Sequence, residues 1–111
     1  MPGALDRYGD VFAALADPSR RIVLERLALA GESTATAIAR GLPISRQAVV
    51  KHLTQLDRAR LVESRRLGRE VRYSVQPGQL VSAAQGIEAI AANWDRTLMA
   101  LKRVAEETKP A

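Results

Sequence analysis

The segment ISRQAVVKHLTQL, from Ile44 to Leu56, carries side chains suited to reading the edges of base pairs. At helical spacing, Arg46 can reach guanine acceptors, and Gln47 can pair with adenine through two hydrogen bonds. Val50 fits a thymine methyl, and Lys51 suits a phosphate. The candidate DNA-contacting residues on this outward arc are Ser45, Arg46, Gln47, Val50, Lys51 and Thr54.

The same arc has a simpler interpretation, because any surface helix exposes polar side chains to solvent. An isolated surface valine such as Val50 needs no functional explanation either. What favours DNA is the surrounding sequence. A tight turn precedes this helix, and an arginine-rich segment follows it.

Positive charge is concentrated in the middle third of the chain. The net charge is +5, yet residues 40–72 alone carry +6 and the remainder carries −1. Clustered basic residues indicate a polyanionic partner, here double-stranded DNA. A protein-interaction module whose basic face docks an acidic protein is the alternative.

Catalytic and metal-binding residues are scarce. The sequence has no cysteine and one histidine, His52, which lies on the apolar arc of its helix. Asp6, Asp10 and Asp17 are spread along one helix and its end, and Asp17 is a helix cap. We therefore predict no enzymatic activity, no metal and no cofactor. No apolar run is long enough to span a bilayer, so a cytoplasmic location is expected.

The elements that position the outward arc are mostly helical. Helices are predicted over Leu5–Ala16, from Asp17-Pro18 to Ala30, from a Ser33 or Thr34 cap to Arg40, and from a Ser45 cap to Ala59. The second helix should bury Ile22, Val23, Leu27 and Ala30. The short third helix, the break GLPI and the fourth helix form a helix-turn-helix pattern.

A β-hairpin should follow the fourth helix. Val62–Arg66 and Glu70–Val75 alternate like strands, and Leu67-Gly68-Arg69 reads as their turn. Its arginines either keep an exposed edge soluble or grip the DNA backbone or minor groove, with Arg69 at the tip the first choice. The candidate DNA-contacting residues of this hairpin, which we call the wing, are Arg65, Arg66, Arg69 and Arg72.

The last predicted helix carries an a/d heptad stripe, which is typical of a helix that packs on another helix. The predicted dimer-interface residues are Leu5, Tyr8, Phe12, Ile87, Trp94, Leu98 and Leu101. The expected organisation is a DNA-binding domain at 1–76, a dimerisation helix at 77–107 and a frayed tail at 108–111. The fold class is mainly α, a winged helix-turn-helix with about five helices and a two-stranded wing.

Two stretches, LADPSRRIVLERL and ISRQAVVKHLTQLDRARLVESRRLGREVRYSV, resemble the ArsR/SmtB-type winged-helix repressors of bacteria. The resemblance covers roughly residues 5–76. It implies a homodimer built from the first and last helices, a recognition helix, a β-wing and repression by occupying an imperfect palindrome.

Metal sensing, known in that family, does not carry over to this sequence. Its metal-sensing members have a Cys-x-Cys pair where GESTATAIA places Thr34 and Thr36, and they use histidine on the last helix, which has none here. The ending NWDRTLMALKRVAEE resembles a non-metal-sensing subgroup. We therefore expect a dimeric, sequence-specific DNA-binding regulator; no small-molecule effector is identified by the sequence.

Overall fold

Five α-helices and three β-strands make up the computed structural model, which describes residues 6–107, without the side chain of Asp6. After a 3-10 turn at Asp6–Tyr8 the elements are α1 Gly9–Ala16, α2 Pro18–Ala30, β1 Ser33–Thr34, α3 Ala35–Ala39, α4 Arg46–Arg58, β2 Val62–Leu67, β3 Glu70–Val75 and α5 Gly78–Glu107. The mainly α winged helix-turn-helix class is confirmed.

The helix boundaries follow local signals. The Asp17 carboxylate accepts hydrogen bonds from the amides of Ser19 (2.8 Å) and Arg20 (3.4 Å), and Pro18 opens α2. Gly31 ends α2 with a φ of 77°, a conformation that costs glycine little. These predicted caps are therefore confirmed.

The core lies among α1, α2, α3 and α4 and under the sheet. Its fully buried side chains include Val23, Leu27, Ile38, Val49, Leu53, Leu56, Leu61 and Val62. The inward face of α2 was predicted incorrectly at two positions: Ile22 is 48% exposed and Ala30 is exposed, while Leu24 is buried. Because Val23, Leu24 and Leu27 fall on one arc of a helix with 3.6 residues per turn, Ile22 lies on the opposite side.

The sheet has one strand more than the predicted hairpin. Its order is β1-β3-β2 and all pairs are antiparallel, with Ser33 opposite Tyr73 and Val62 opposite Val75. β1 contains only two residues, too few to show strand alternation in a sequence. Gly68, at φ 61°, occupies the first position of the two-residue turn between Leu67 and Glu70.

Helix α5 extends well beyond the rest of the protomer. The molecule measures 75 × 25 × 21 Å, and its radius of gyration is 20.1 Å, against about 13 Å for a compact chain of this size. Only Ala83 of α5 is buried, and Leu80 packs partly against the core. Over residues 6–107, no helix has the length and hydropathy needed to cross a bilayer.

Candidate nucleic-acid interface

Helix α4 is anchored so that one side of its first turns is exposed. The Ser45 hydroxyl accepts a hydrogen bond from the Ala48 amide at 3.1 Å, which caps the helix as predicted. Leu42 and Ile44, in the preceding turn, pack partly against the core. Since Val49 and Leu53 are fully buried below, the rotation of α4 about its axis is fixed.

The opposite side of α4 is what we call the recognition face. Its exposed side chains are those of Arg46, Gln47, Lys51, Thr54 and Arg58. The Thr54 hydroxyl donates back to the Val50 carbonyl at 2.9 Å, and the Ser45 hydroxyl is occupied as a cap. The long hydrogen-bond donors at the start of the helix are therefore the side chains of Arg46, Gln47 and Lys51.

Val50 has a structural role that the sequence did not reveal. Its side chain is half-buried and packs against the core cluster, although it sits among recognition-face residues. Part of the reason for an apolar residue here is therefore packing. The exposed part of the Val50 side chain is still available for the predicted contact with a thymine methyl.

Arg46 is held by a residue of α3 that sequence reasoning missed. Its Nε donates to the Thr36 hydroxyl at 3.1 Å. Thr36 lies outside the apolar positions of α3, which signals exposure, but nothing in a sequence signals a contact across ten positions. Thr34, the other threonine in GESTATAIA, caps α3 by accepting from the Ala37 amide at 3.1 Å.

The four wing arginines divide between the two faces of the sheet. Arg65 and Arg72 lie opposite each other in the β2–β3 ladder and share one face, since directly paired residues point the same way. Arg65 forms a bidentate ion pair with Glu32, and Arg72 pairs with Glu70 at 3.1 Å. Sequence reasoning did not anticipate Glu32 as a partner, because it precedes β1, far from the hairpin.

Arg66 and Arg69 are differently placed. Arg66 is opposite Val71 and so shares the face of Val71 and Tyr73, of which Tyr73 packs partly against the core. Arg69 is in the turn. Throughout residues 6–107, no carboxylate lies within ion-pair distance of either guanidinium. Among the residues that the structure describes, no carboxylate therefore compensates their charges.

A groove of about 500 Å³ connects the recognition face with the wing. Three arginines line it, one each from the end of α3, the start of α4 and the wing tip. The lining residues are Thr34, Ala35, Thr36, Arg40, Arg46, Val50, Arg69, Glu70, Val71 and Tyr73. A concave surface with convergent arginines concentrates positive potential, which attracts a polyanion such as DNA.

Asp17, which caps α2, is a titratable residue whose environment shifts its pKa. Burial raises the pKa of Asp17, but hydrogen bonds from the Ser19 and Arg20 amides and the charges of Arg20 and His52 outweigh it, so the pKa lies below its ordinary value. His52 itself is half-buried. In the described part of the chain, no three His, Cys, Asp or Glu side chains converge as metal ligands would.

The predicted dimer residues are unevenly exposed. On α5, Ile87 is 47% exposed, Trp94 59%, Leu98 55% and Leu101 59%. On the N-terminal side, Phe12 is half-buried and Tyr8 is buried in the protomer's own core. Leu5, like the tail 108–111, lies outside the described residues. The interface assignment stays a prediction.

Fold and surface together define a winged helix-turn-helix protein with a basic wing. A helix-turn-helix domain family matches residues 15–65. An ArsR-like transcriptional regulator from Rhodococcus sp. RHA1 has a structure that is similar over 90% of this chain and 93% of its own, at 42% identity and a TM-score of 0.82.

Two further proteins resemble the chain. The transcriptional repressor SdpR of Bacillus subtilis is 36% identical over 66 residues, which is 60% of this chain and 72% of SdpR. The homodimeric winged helix-turn-helix DNA-binding domain of Mb0332 from Mycobacterium bovis is 29% identical, with a TM-score of 0.63 over 79% of this chain and 81% of its own.

The chain belongs to the ArsR family of transcriptional regulators. The resemblance seen in the sequence is thereby confirmed. All three relatives carry names of regulators or DNA-binding domains.

Proposed function

We propose that this protein is a homodimeric repressor that binds an imperfect palindromic operator. Helix α4 enters the major groove with its recognition face, and the wing follows the adjacent backbone. The observation that carries the proposal is the side-by-side exposure of Arg46, Gln47 and Lys51 on the first turns of a helix-turn-helix. SdpR, a relative, is a repressor, which supports the same direction of control.

The side chains of the interface differ in whether they suit bases or phosphates. Arg46 has N–H donors that match the guanine acceptors, and the Gln47 amide has a donor and an acceptor that match adenine. Lys51 and Arg58 suit phosphates. Phosphate contacts supply affinity and register but little sequence choice. In the wing, Arg66 and Arg69 are the stronger phosphate candidates, because Arg65 and Arg72 already have carboxylate partners.

A second copy of the chain is the partner that α5 needs. Its exposed apolar stripe projects from the protomer, and large exposed apolar patches mark interaction sites. The homodimeric Mb0332 domain supports this assembly. A two-fold dimer would place two α4 helices about 34 Å apart, which matches half-sites one helical turn apart.

The test separates base reading from general DNA affinity. Arg46→Ala and Gln47→Ala should abolish the preference for the operator over a scrambled duplex, while non-specific binding persists. Arg103→Ala and Gln85→Ala, which remove the same side-chain types from exposed positions of α5, serve as matched controls. Competition anisotropy reports both quantities. An unchanged preference in both α4 variants would defeat the base-reading assignment.

A further inference from the structure

We propose that Thr36 is a specificity-determining positioning residue, which holds Arg46 so that its two terminal nitrogens face a guanine. This inference rests on the proposed function. The observation behind it is the 3.1 Å hydrogen bond from Arg46 Nε to the Thr36 hydroxyl, which links the first residue of α4 to the exposed side of α3.

The hydrogen bond restricts which donors Arg46 can present. A guanidinium has five N–H donors, and four remain on the terminal nitrogens once Nε–H is engaged. A guanine accepts two hydrogen bonds at O6 and N7. With Nε occupied by Thr36, Arg46 can make this pair only through its terminal nitrogens, end-on.

The charge of Arg46 stays available because its anchor is neutral. A carboxylate at the position of Thr36 would compensate the guanidinium and compete with DNA for it. Glu70, which lines the same groove, is paired with Arg72 at 3.1 Å. Within residues 6–107 no carboxylate is within ion-pair distance of Arg46.

Fixing the side chain before binding also favours selectivity. Arginine has many rotamers, and an exposed one must be ordered when it reads a base. The bond to Thr36 orders the Nε end of the guanidinium in the free protein. The benefit applies to the one base step that Arg46 contacts and leaves the phosphate contacts of α4 and the wing unaffected.

The experiment compares base preference position by position. Thr36→Val removes the hydroxyl at constant shape, and Thr36→Ser restores it. Binding selection from randomised duplexes should show that Thr36→Val lowers the guanine preference at one position of each half-site by about fivefold, roughly the effect of one hydrogen bond. Thr36→Ser should retain the preference, and both variants should keep the salt dependence of wild-type protein.

Two further variants make the result decisive. In an Arg46→Ala background, Thr36→Val should have no additional effect on the profile, because the two residues act through one contact. Thr36→Ala provides a second hydroxyl deletion whose folding can be checked by thermal unfolding.

A Thr36→Val profile equal to wild type, beside a lost preference in Arg46→Ala, would overturn the positioning role and leave base reading intact. A uniform loss on every sequence would also overturn it, since Thr36 would then act as a backbone contact. Absence of binding to any duplex by wild-type protein would remove the proposed function itself.

Discussion

Arg65 of the wing is joined to Glu32, just before β1, by a bidentate ion pair with N–O distances of 2.8 and 3.0 Å to the two carboxylate oxygens. In the sheet order β1-β3-β2, this pair reaches across β3 and ties the outer strands together. It also offsets the like charge of Arg72, which is directly opposite Arg65. As one of two wing arginines with a carboxylate partner, Arg65 is a weaker candidate for a phosphate contact.

The first prediction contrasts two wing arginines that look equivalent in the sequence. Arg69→Ala should weaken binding similarly on all duplexes and reduce the slope of log K against log salt by about 0.9, the value for one phosphate contact. Arg65→Ala, its matched control, should change the slope less because Glu32 already compensates Arg65. Anisotropy titrations over a salt series measure both slopes.

Either of two results would contradict this account of the wing. An unaltered slope in Arg69→Ala would remove the tip from the set of phosphate contacts. A slope reduced as strongly by Arg65→Ala as by Arg69→Ala would mean that the ion pair with Glu32 does not withhold Arg65 from DNA.

The second prediction concerns the dimer. Leu98→Asp places a charge in the exposed apolar stripe of α5 and should convert the dimer into a monomer, since a buried unpaired charge is strongly unfavourable. Ala89→Asp introduces the same charge on the opposite side of the helix and should leave the dimer intact. Size-exclusion chromatography with light scattering distinguishes the two states. A dimeric Leu98→Asp would place the interface elsewhere.

The third prediction is a pH dependence of stability from Asp17. Because its pKa in the folded state is lowered, the ionised carboxylate stabilises the fold above its ordinary pKa of 3.8, and this contribution is lost as pH falls through the lower folded value. Asn is an equally good helix cap but does not titrate. The Tm advantage of wild type over Asp17→Asn should therefore shrink below about pH 3.8. A pH-independent difference in thermal unfolding would rule out this linkage.

The fourth prediction uses backbone conformation at the end of α4. Arg60 has a φ of 61°, and the amides of Arg60 and Leu61 donate to the carbonyls of Asp57 and Leu56, both at 2.9 Å. This Schellman arrangement favours glycine at the position of Arg60. Arg60→Gly should raise the free energy of unfolding by about 0.5–1 kcal/mol. Arg60→Ala removes the same charge without relieving the backbone and should give no gain in denaturant unfolding; equal gains would exclude the conformational explanation.

Much of the fold was predictable because its signals are local. The caps at Asp17 and Ser45 and the ends of α2 and of the hairpin depend on residues within a few positions of one another. Helical spacing also separated the buried side of α4, with Val49, from its exposed side. The buried face of α2 was predicted wrongly at Ile22 and Ala30, because apolar residues are spread around this helix.

What could not be predicted depends on pairs that are distant along the chain. β1 exists because two residues meet β3, and its sequence, ST, has no strand pattern of its own. The pairs Thr36–Arg46 and Glu32–Arg65 depend on how α3, α4 and the sheet pack together. The sequence therefore showed the types of the site residues. It did not show which arginines have a hydrogen-bond or ion-pair partner within the protein.

DNA binding itself is tested by titrating wild-type protein with a random-sequence DNA duplex at low ionic strength and then adding salt. We expect binding that weakens steadily with salt, reaching non-specific dissociation constants of about 10⁻⁴–10⁻⁶ M under physiological conditions. No binding to any duplex at low ionic strength would contradict it.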